Sequence, residues 1–205
     1  MNEKSILEGL NVSRETLQRL ERFEQVILKW NPKINLVSRS SLKQIWTRHI
    51  ADSVQVFRCA ERPDHWVDIG SGGGFPGLIV AIVAVEEAPD MKVTLVESDQ
   101  RKSAFLRTAA RECGARVTVV SNRIEEADPQ NAGVLSARAL ADLSLLLEFA
   151  ERHLGAGGTA LFPKGESWKK EVDNARQRWQ FEAEPVKSLT EPEAVILKIR
   201  GVARV

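Results

Sequence analysis

The run Asp68-Ile69-Gly70-Ser71-Gly72-Gly73-Gly74-Phe75-Pro76-Gly77 constrains this chain more than any other feature. It joins an apolar stretch, 66–69, to a second one, 78–85. The first has the length of a buried strand, and the second reads as an apolar helix. Glycines concentrated between a strand and a helix let the backbone turn sharply and approach a ligand with no Cβ in the way. Gly72, Gly74 and Gly77 satisfy the dinucleotide pattern G-x-G-x-x-G, so the turn alone leaves the ligand open. A phosphate loop of the nucleotide hydrolases is excluded, because no Gly-Lys-Ser/Thr follows. Pro76 stiffens the entry to the helix, where the N–H that proline lacks is not required.

The rest of the middle zone repeats the strand–helix rhythm. Residues 93–96 are a β-branched strand ending at Glu97, and 102–113 a helix closed by Gly114. Residues 117–120 and 134–137 are further strands. A helix at 140–154 ends in the glycine cluster 155–158, and a fifth strand occupies 159–162. Such alternation builds βαβ units and a parallel, doubly wound sheet. The rhythm then breaks. After a polar helix at 167–179, strand-like stretches 184–189 and 194–200 are separated only by Thr190-Glu191-Pro192-Glu193. That connection is too short for a parallel crossover, so the two should pair as an antiparallel hairpin.

Ahead of this sheet, residues 1–60 read as a helical extension. Ser13 is a candidate N-cap, and Leu17, Leu20, Phe23, Ile27 and Trp30 recur at helical spacing. Asn31-Pro32 should stop that helix. Leu42, Ile45, Trp46, His49, Ile50 and Val54 resume the period. The expected division is therefore 1–60 and a catalytic-size α/β domain over 61–205.

Composition excludes several classes. Hydrophobic residues are 43% and charged residues 28% of 205, ordinary for a soluble globular chain. No apolar run approaches the ~20 residues of a membrane helix, and the opening residues lack the basic flank and apolar core of a secretory signal. Cys59 and Cys113 form no metal-type pair and suit a reducing, cytoplasmic setting. His49, His65 and His153 show no ligand spacing, so no metal is expected. A monomer is expected at this size. Net charge is +1, but residues 1–60 hold ten Lys/Arg against six Asp/Glu and residues 61–150 nine against fourteen. A basic segment on an acidic centre is compatible with a polyanion partner.

Glu97 lies 27 positions after Gly70, at the end of the second predicted strand. A carboxylate there can accept both ribose hydroxyls of an adenosine, whether in NAD or in S-adenosyl-L-methionine. Asp68 ahead of the turn, Pro76 within it and the terminal hairpin favour the methyl donor. They outline a mostly parallel, seven-stranded, Rossmann-like class I methyltransferase sheet with a C-terminal antiparallel hairpin and an N-terminal helical extension. Asn122-Arg123-Ile124-Glu125-Glu126 follows the third strand, where an adenine ring would rest. Asp68, Gly70 and Gly72 are the turn's candidate donor-binding residues.

Seven pieces in order resemble one family. They are Trp30-Asn31-Pro32-Lys33-Ile34-Asn35-Leu36, Arg48-His49-Ile50-Ala51-Asp52-Ser53, the turn 68–77, Val96-Glu97-Ser98 with Lys102 and Phe105-Leu106, Arg123-Ile124-Glu125-Glu126, Ser136-Ala137-Arg138-Ala139, and Pro163-Lys164-Gly165. Together they are similar to the GidB/RsmG family of bacterial small-subunit rRNA guanine-N7 methyltransferases over nearly the whole chain. The resemblance implies methyl transfer to N7 of a guanine in 16S rRNA, free or in an assembling small subunit. It also implies that Gly70, Phe75, Glu97, Ile124, Glu125 and Arg138 line the donor site. One departure is visible. Where family members often carry an aromatic-Asp pair, this chain has Gln130-Asn131-Ala132-Gly133.

Guanine N7 bears a lone pair and no proton, so no general base is expected, and catalysis reduces to positioning by Arg138 and Lys164. Asn35, Arg48, His49 and Lys164 are candidate RNA contacts. By spacing alone, Arg48 with Asp52 and His49 with Ser53 are i,i+4 helix pairs. The competing readings are a small-molecule or protein methyltransferase on the same fold, and an NAD-dependent oxidoreductase or nucleotide-sensing module.

Overall fold

A computed structural model describes residues 9–61 and 63–205. The opening residues that bear on a secretory signal, 1–8, lie outside the described residues. The chain folds as α1 (Arg14–Ile34), α2 (Arg39–Leu42), a π-helical turn (Trp46–Ala51), α3 (Asp52–Arg58), β1 (His65–Ile69), α4 (Gly77–Glu87), β2 (Lys92–Val96), α5 (Gln100–Glu112), β3 (Thr118–Val120), β4 (Ala132–Ser136), α6 (Leu143–His153), β5 (Leu154–Lys164), α7 (Trp168–Ala175), β6 (Trp179–Lys187) and β7 (Val195–Arg204).

The strands form one seven-stranded sheet in the order β3-β2-β1-β4-β5-β7-β6. Strands β1 to β5 pair in parallel, while β7 runs antiparallel to both β5 and β6. The expected terminal hairpin is therefore present, with β7 inserted between its partner and the parallel sheet. The order reverses beside β1, and the crevice beyond the carboxyl ends of strands at such a reversal is where α/β sheets bind ligands.

The core has two parts, one on each face. On one, α4 is apolar all round and buried from Gly77 through Ala84, as a helix sandwiched between layers must be. It packs with α1 (Leu20, Phe23, Ile27), the π turn (Trp46, Ile50) and α5 (Phe105, Leu106). On the other, α6 and α7 cover β4, β5 and β7 through Leu143, Leu147, Val172, Phe162 and Leu197. The N-terminal helices thus share a core with the α/β layers. No described helix is long and apolar enough to cross a membrane.

Several sequence expectations are corrected. The Ser13 cap is present, its Oγ accepting the Thr16 N–H at 2.9 Å. However, α1 runs through Asn31-Pro32 to Ile34. Pro32 is exposed and sits in the last turn, where one missing hydrogen bond is tolerable. The helix ends at Asn35 in the left-handed region, with φ 48°. The side-chain oxygen of Asn31 accepts the Leu36 and Val37 N–H groups at 2.8 and 2.9 Å, so the residue expected to break the helix caps it from inside.

The second predicted N-terminal helix is interrupted by the π turn. Arg48 meets Glu191 at 3.1 Å and Asp52 meets Arg138 at 3.4 Å rather than each other, while Ser53 stays with His49 through the backbone, its hydroxyl donating to the His49 carbonyl at 2.6 Å. Strand β4 starts at Ala132 and ends at Ser136. Helix α6 starts at Leu143, because the Asp142 carboxylate caps it by accepting the Leu145 N–H at 3.1 Å. The 155–158 glycines lie inside β5 rather than ending a helix. A Cβ on Gly158 would come within 2.7 Å of the Ala132 carbonyl oxygen, at the place where the β4–β5 register shifts, so close strand approach demands glycine there. Trp179 is buried at the head of β6 and not in the polar helix, which stops at Ala175.

Candidate donor cleft and acceptor cavity

The glycine turn leaves the carboxyl end of β1 and feeds α4. Gly70, Gly72 and Gly74 have φ of 65°, 47° and 88°, a region that L side chains rarely occupy. The Gly70 and Ser71 N–H groups donate to the Val96 carbonyl at 2.9 and 3.2 Å, pinning the turn to the end of β2. One residue on, Glu97 reaches back. Its Oε2 accepts the Gly72 N–H at 2.8 Å, and its Oε1 accepts the Asp99 N–H at 2.8 Å. Each oxygen has a further lone pair for a ligand hydroxyl. Asp99 in turn caps α5, accepting the Arg101 and Lys102 N–H groups.

Asp68 lies behind this turn and is fully buried. A relay runs from the Trp66 indole N–H to the Ser136 Oγ at 2.9 Å, and from the Ser136 hydroxyl to Asp68 Oδ1 at 2.6 Å. Burial pushes the Asp68 carboxyl up to about 7, opposed by the Ser136 and Ser71 hydroxyls and the Gly77 N–H. Asp68 therefore braces the turn and does not line the cleft. Phe75 is also buried, edge-on to Phe23 at 5.4 Å and stacked on His49 at 4.7 Å.

In front of the turn opens a cleft of about 320 Å³, lined by Gly70, Gly72, Glu97, Ile124, Glu125 and Arg138 among others. These elements fit the adenosine end of S-adenosylmethionine. The glycine backbone and a ribose-facing carboxylate form one wall, and Val96 and Ile124 offer apolar surface to a ring. Lys102, Arg123 and Leu140 also border the cleft. Lys102 appeared in the sequence only as part of a family match. The sequence places Leu140 in a helix, and its packing against Gly70 brings it to the cleft.

A second, larger cavity of about 820 Å³ adjoins the first and shares Arg138 and Ala139 with it. Its walls include Arg48, Asp52, Lys164 and the β6–β7 turn at Ser188, Thr190 and Glu191. Arg138 is held from two sides against the repulsion of a neighbouring guanidinium. It pairs with Asp52, donates to the Arg48 carbonyl, and faces the field of Arg48. Burial raises the Asp52 carboxyl while Arg138, Thr190 and Ser188 lower it. Gln55 clamps the same turn, donating to the Lys187 carbonyl at 2.7 Å and accepting the Leu189 N–H at 2.9 Å. Nothing in the sequence linked the hairpin turn to this site, because the link crosses more than 130 positions.

Lys164 lines the cavity, but its ammonium donates to the Ala141 carbonyl at 2.8 Å and pairs with Glu171 at 2.7 Å. His49 borders neither space. Burial, then Arg138 and Arg48, lower it to about 3, and both ring nitrogens lack hydrogen-bond partners. Asn35 is exposed at the end of α1 and lines neither space. Among the described residues, no three His, Cys, Asp or Glu side chains cluster as a metal site.

Comparison with known proteins shows the family. Over residues 16–198 the chain matches the family model for rRNA small subunit methyltransferase G. It is 66% identical over 196 residues to Ribosomal RNA small subunit methyltransferase G of Ruegeria sp. (strain TM1040), covering 96% of each chain. It is 49% identical over 206 residues to the protein of the same name from Cereibacter sphaeroides, covering 100% of both. Among solved structures, a methyltransferase from Geobacter sulfurreducens superposes with a TM-score of 0.57 at 16% identity, covering 89% of this chain and 88% of that one, a likeness of fold. On these matches, carried over nearly its whole length, the chain belongs to the GidB family, rRNA small subunit methyltransferase G.

Proposed function

We propose that this chain transfers the methyl group of S-adenosyl-L-methionine to N7 of a guanine in 16S rRNA. The single observation that carries the reading is the meeting of the two spaces at Arg138 and Ala139 in a member of this family. One space suits the donor, and the other is large enough for a nucleotide. The segment 1–60 is an extension whose described helices complete the acceptor side of the 61–205 domain through Arg48 and Asp52. The protein works in the cytoplasm as a monomer, on 16S rRNA or an assembling small subunit.

When bound, the donor supplies a methyl carbon made electrophilic by its sulfonium. Glu97 and the Gly70–Gly72 backbone would hold the ribose, and Ile124 and the backbone at Glu125 would hold the adenine. Arg138 pairs with the donor's carboxylate or an RNA phosphate, for which a planar fork is suited. Asp52 and the Arg48 carbonyl aim that fork. Phe75, packed on Phe23 and His49, stiffens the turn from beneath. Asp68 supports the turn from the sheet side. No residue need take a proton from N7. The chain's work is to line up the nitrogen lone pair with the methyl carbon, an alignment that can account for ~7–11 kcal/mol of a barrier.

The test is incubation of the purified chain with isotopically labelled donor and either protein-free 16S rRNA or small subunits, followed by digestion to nucleosides. Label in 7-methylguanosine is expected. Label in another nucleoside or in protein would replace the assignment, and the two RNA substrates compared side by side identify the form that is recognised.

A further inference from the structure

We infer that the stretch 25–51 is the surface that grips the RNA backbone, with Arg39, Lys43 and Arg48 seating phosphates next to the target nucleotide; this rests on the RNA methyl-transfer reading above. In a chain with 28 acidic residues among 205, this stretch contains none, yet it holds Lys29, Lys33, Arg39, Lys43 and Arg48. Such a run raises a local positive potential that the net charge of +1 conceals.

The fold puts the run at the reacting centre. The Leu36 carbonyl lies where a Cβ on Gly73 would meet it at 3.1 Å, so the segment lies directly against the donor turn. From there it leads into an open groove of about 380 Å³ lined by Arg39, Ser40, Lys43, Gln44 and Arg48. Arg48 also borders the acceptor cavity, so one residue is common to groove and cavity. Among the described residues, Arg39 and Lys43 are exposed and pair with no carboxylate. Arg48 is tied to Glu191 with both side chains nearly half exposed, and an ion pair of that kind contributes little and can exchange for a phosphate. The segment is also held in shape by Asn31 accepting from Leu36 and Val37, and by Ser38 accepting the Ser41 N–H at 3.1 Å. Phosphate contacts of this sort set register and orientation while the base is read elsewhere. That suits a single-stranded or distorted RNA segment whose guanine enters the cavity.

The experiment compares wild type, R39A/K43A, and R111A/R116A, which removes the same charge from exposed positions around the end of α5. RNA affinity as a function of salt, steady-state methylation of 16S rRNA or subunits, and S-adenosylhomocysteine affinity are measured for all three. For R39A/K43A the KM for RNA should rise about tenfold and the salt slope flatten by about 1.4, the counterion release of two single-strand phosphates. Its kcat and S-adenosylhomocysteine affinity should be unchanged, and R111A/R116A should match wild type throughout. Equal flattening in both variants, or a wild-type KM and slope in R39A/K43A, overturns the backbone track while leaving methyl transfer intact. A wild-type protein that binds S-adenosylhomocysteine yet never methylates RNA overturns the reading underneath, and the track with it.

Discussion

Gly77→Ala tests whether the back wall of the donor turn is as rigid as its packing implies. Gly77 opens α4 with an ordinary backbone torsion, so alanine meets no conformational barrier there. The obstacle is space. A Cβ would lie 2.5 Å from Asp68 Cβ, 2.6 Å from Asp68 Oδ2 and 2.6 Å from Leu95 Cδ2, against an optimum of about 3.5–4.0 Å for carbon pairs. Asp68 and Leu95 are both fully buried, so neither can swing away into solvent. Overpacking of this kind costs ~1–3 kcal/mol. Displacing Asp68 from Ser136 adds ~0.5–3 kcal/mol for a hydrogen bond to a carboxyl that is part ionised near neutral pH. The helix-propensity gain of alanine over glycine returns ~1 kcal/mol. The net loss is about 3 kcal/mol, which for a chain of this size lowers Tm by roughly 6–12 °C. Differential scanning calorimetry reads it directly. Gly165→Ala is the control, because nothing lies within 4 Å of its added Cβ, and its Tm should hold. A Gly77→Ala protein melting within about 2 °C of wild type would refute the rigid wall and, with it, the supporting role of Asp68.

Further outcomes are expected from the same geometry. Because the folded Asp68 carboxyl is raised from 3.8 to about 7, the folded state holds this proton more tightly. Its stabilising contribution is complete below about pH 4 and is lost as pH rises through about 7; urea unfolding of Asp68→Asn should lack that decline, and an identical pH slope would exclude Asp68 as its source. Glu97→Gln exchanges one acceptor of the Gly72 and Asp99 N–H groups for a donor. Calorimetry should then show S-adenosylhomocysteine binding weakened at least tenfold, about 1.4 kcal/mol, and wild-type affinity would remove Glu97 from the donor site. Arg138→Ala strands the buried Asp52 carboxylate and should cost about 3 kcal/mol in chemical unfolding, the low end for a buried pair because the Arg138 side chain is 20% exposed. Adding Asp52→Asn should recover most of that stability but not methylation, whereas recovery of both would make Arg138 purely structural. His49, held to about 3, is neutral through the working range, so kcat should show no inflection near 6.5, and one that vanished in His49→Phe would establish a proton-accepting role.

The alternation of strands and helices, the glycine turn, the acid at the end of β2 and the terminal hairpin were all legible in the residues. Each is written in a local pattern: a run of β-branched residues, a helical period, or a connection too short to cross over. Glu97 was found because its distance from the turn is set by one βαβ unit. The residues misjudged were those whose local cue was outweighed. Pro32 was exposed and near a helix end, the 155–158 glycines answered a neighbouring strand rather than a turn, and Trp179 was drawn into β6 by the core.

What the sequence determined by itself is the alternation of strands and helices, the terminal hairpin, and the glycine turn with an acid at the end of the next strand, since these follow from short-range rules of torsion, periodicity and loop length. Tertiary structure alone decided the partners of the side chains around the larger cavity. Arg138 with Asp52, Arg48 with Glu191, and Gln55 with the β6–β7 turn are each joined by folding across chain distances over which no local pattern extends. Ion pairs and hydrogen bonds depend on where atoms end up within a few ångströms, and that is settled only when the two faces of the sheet have packed.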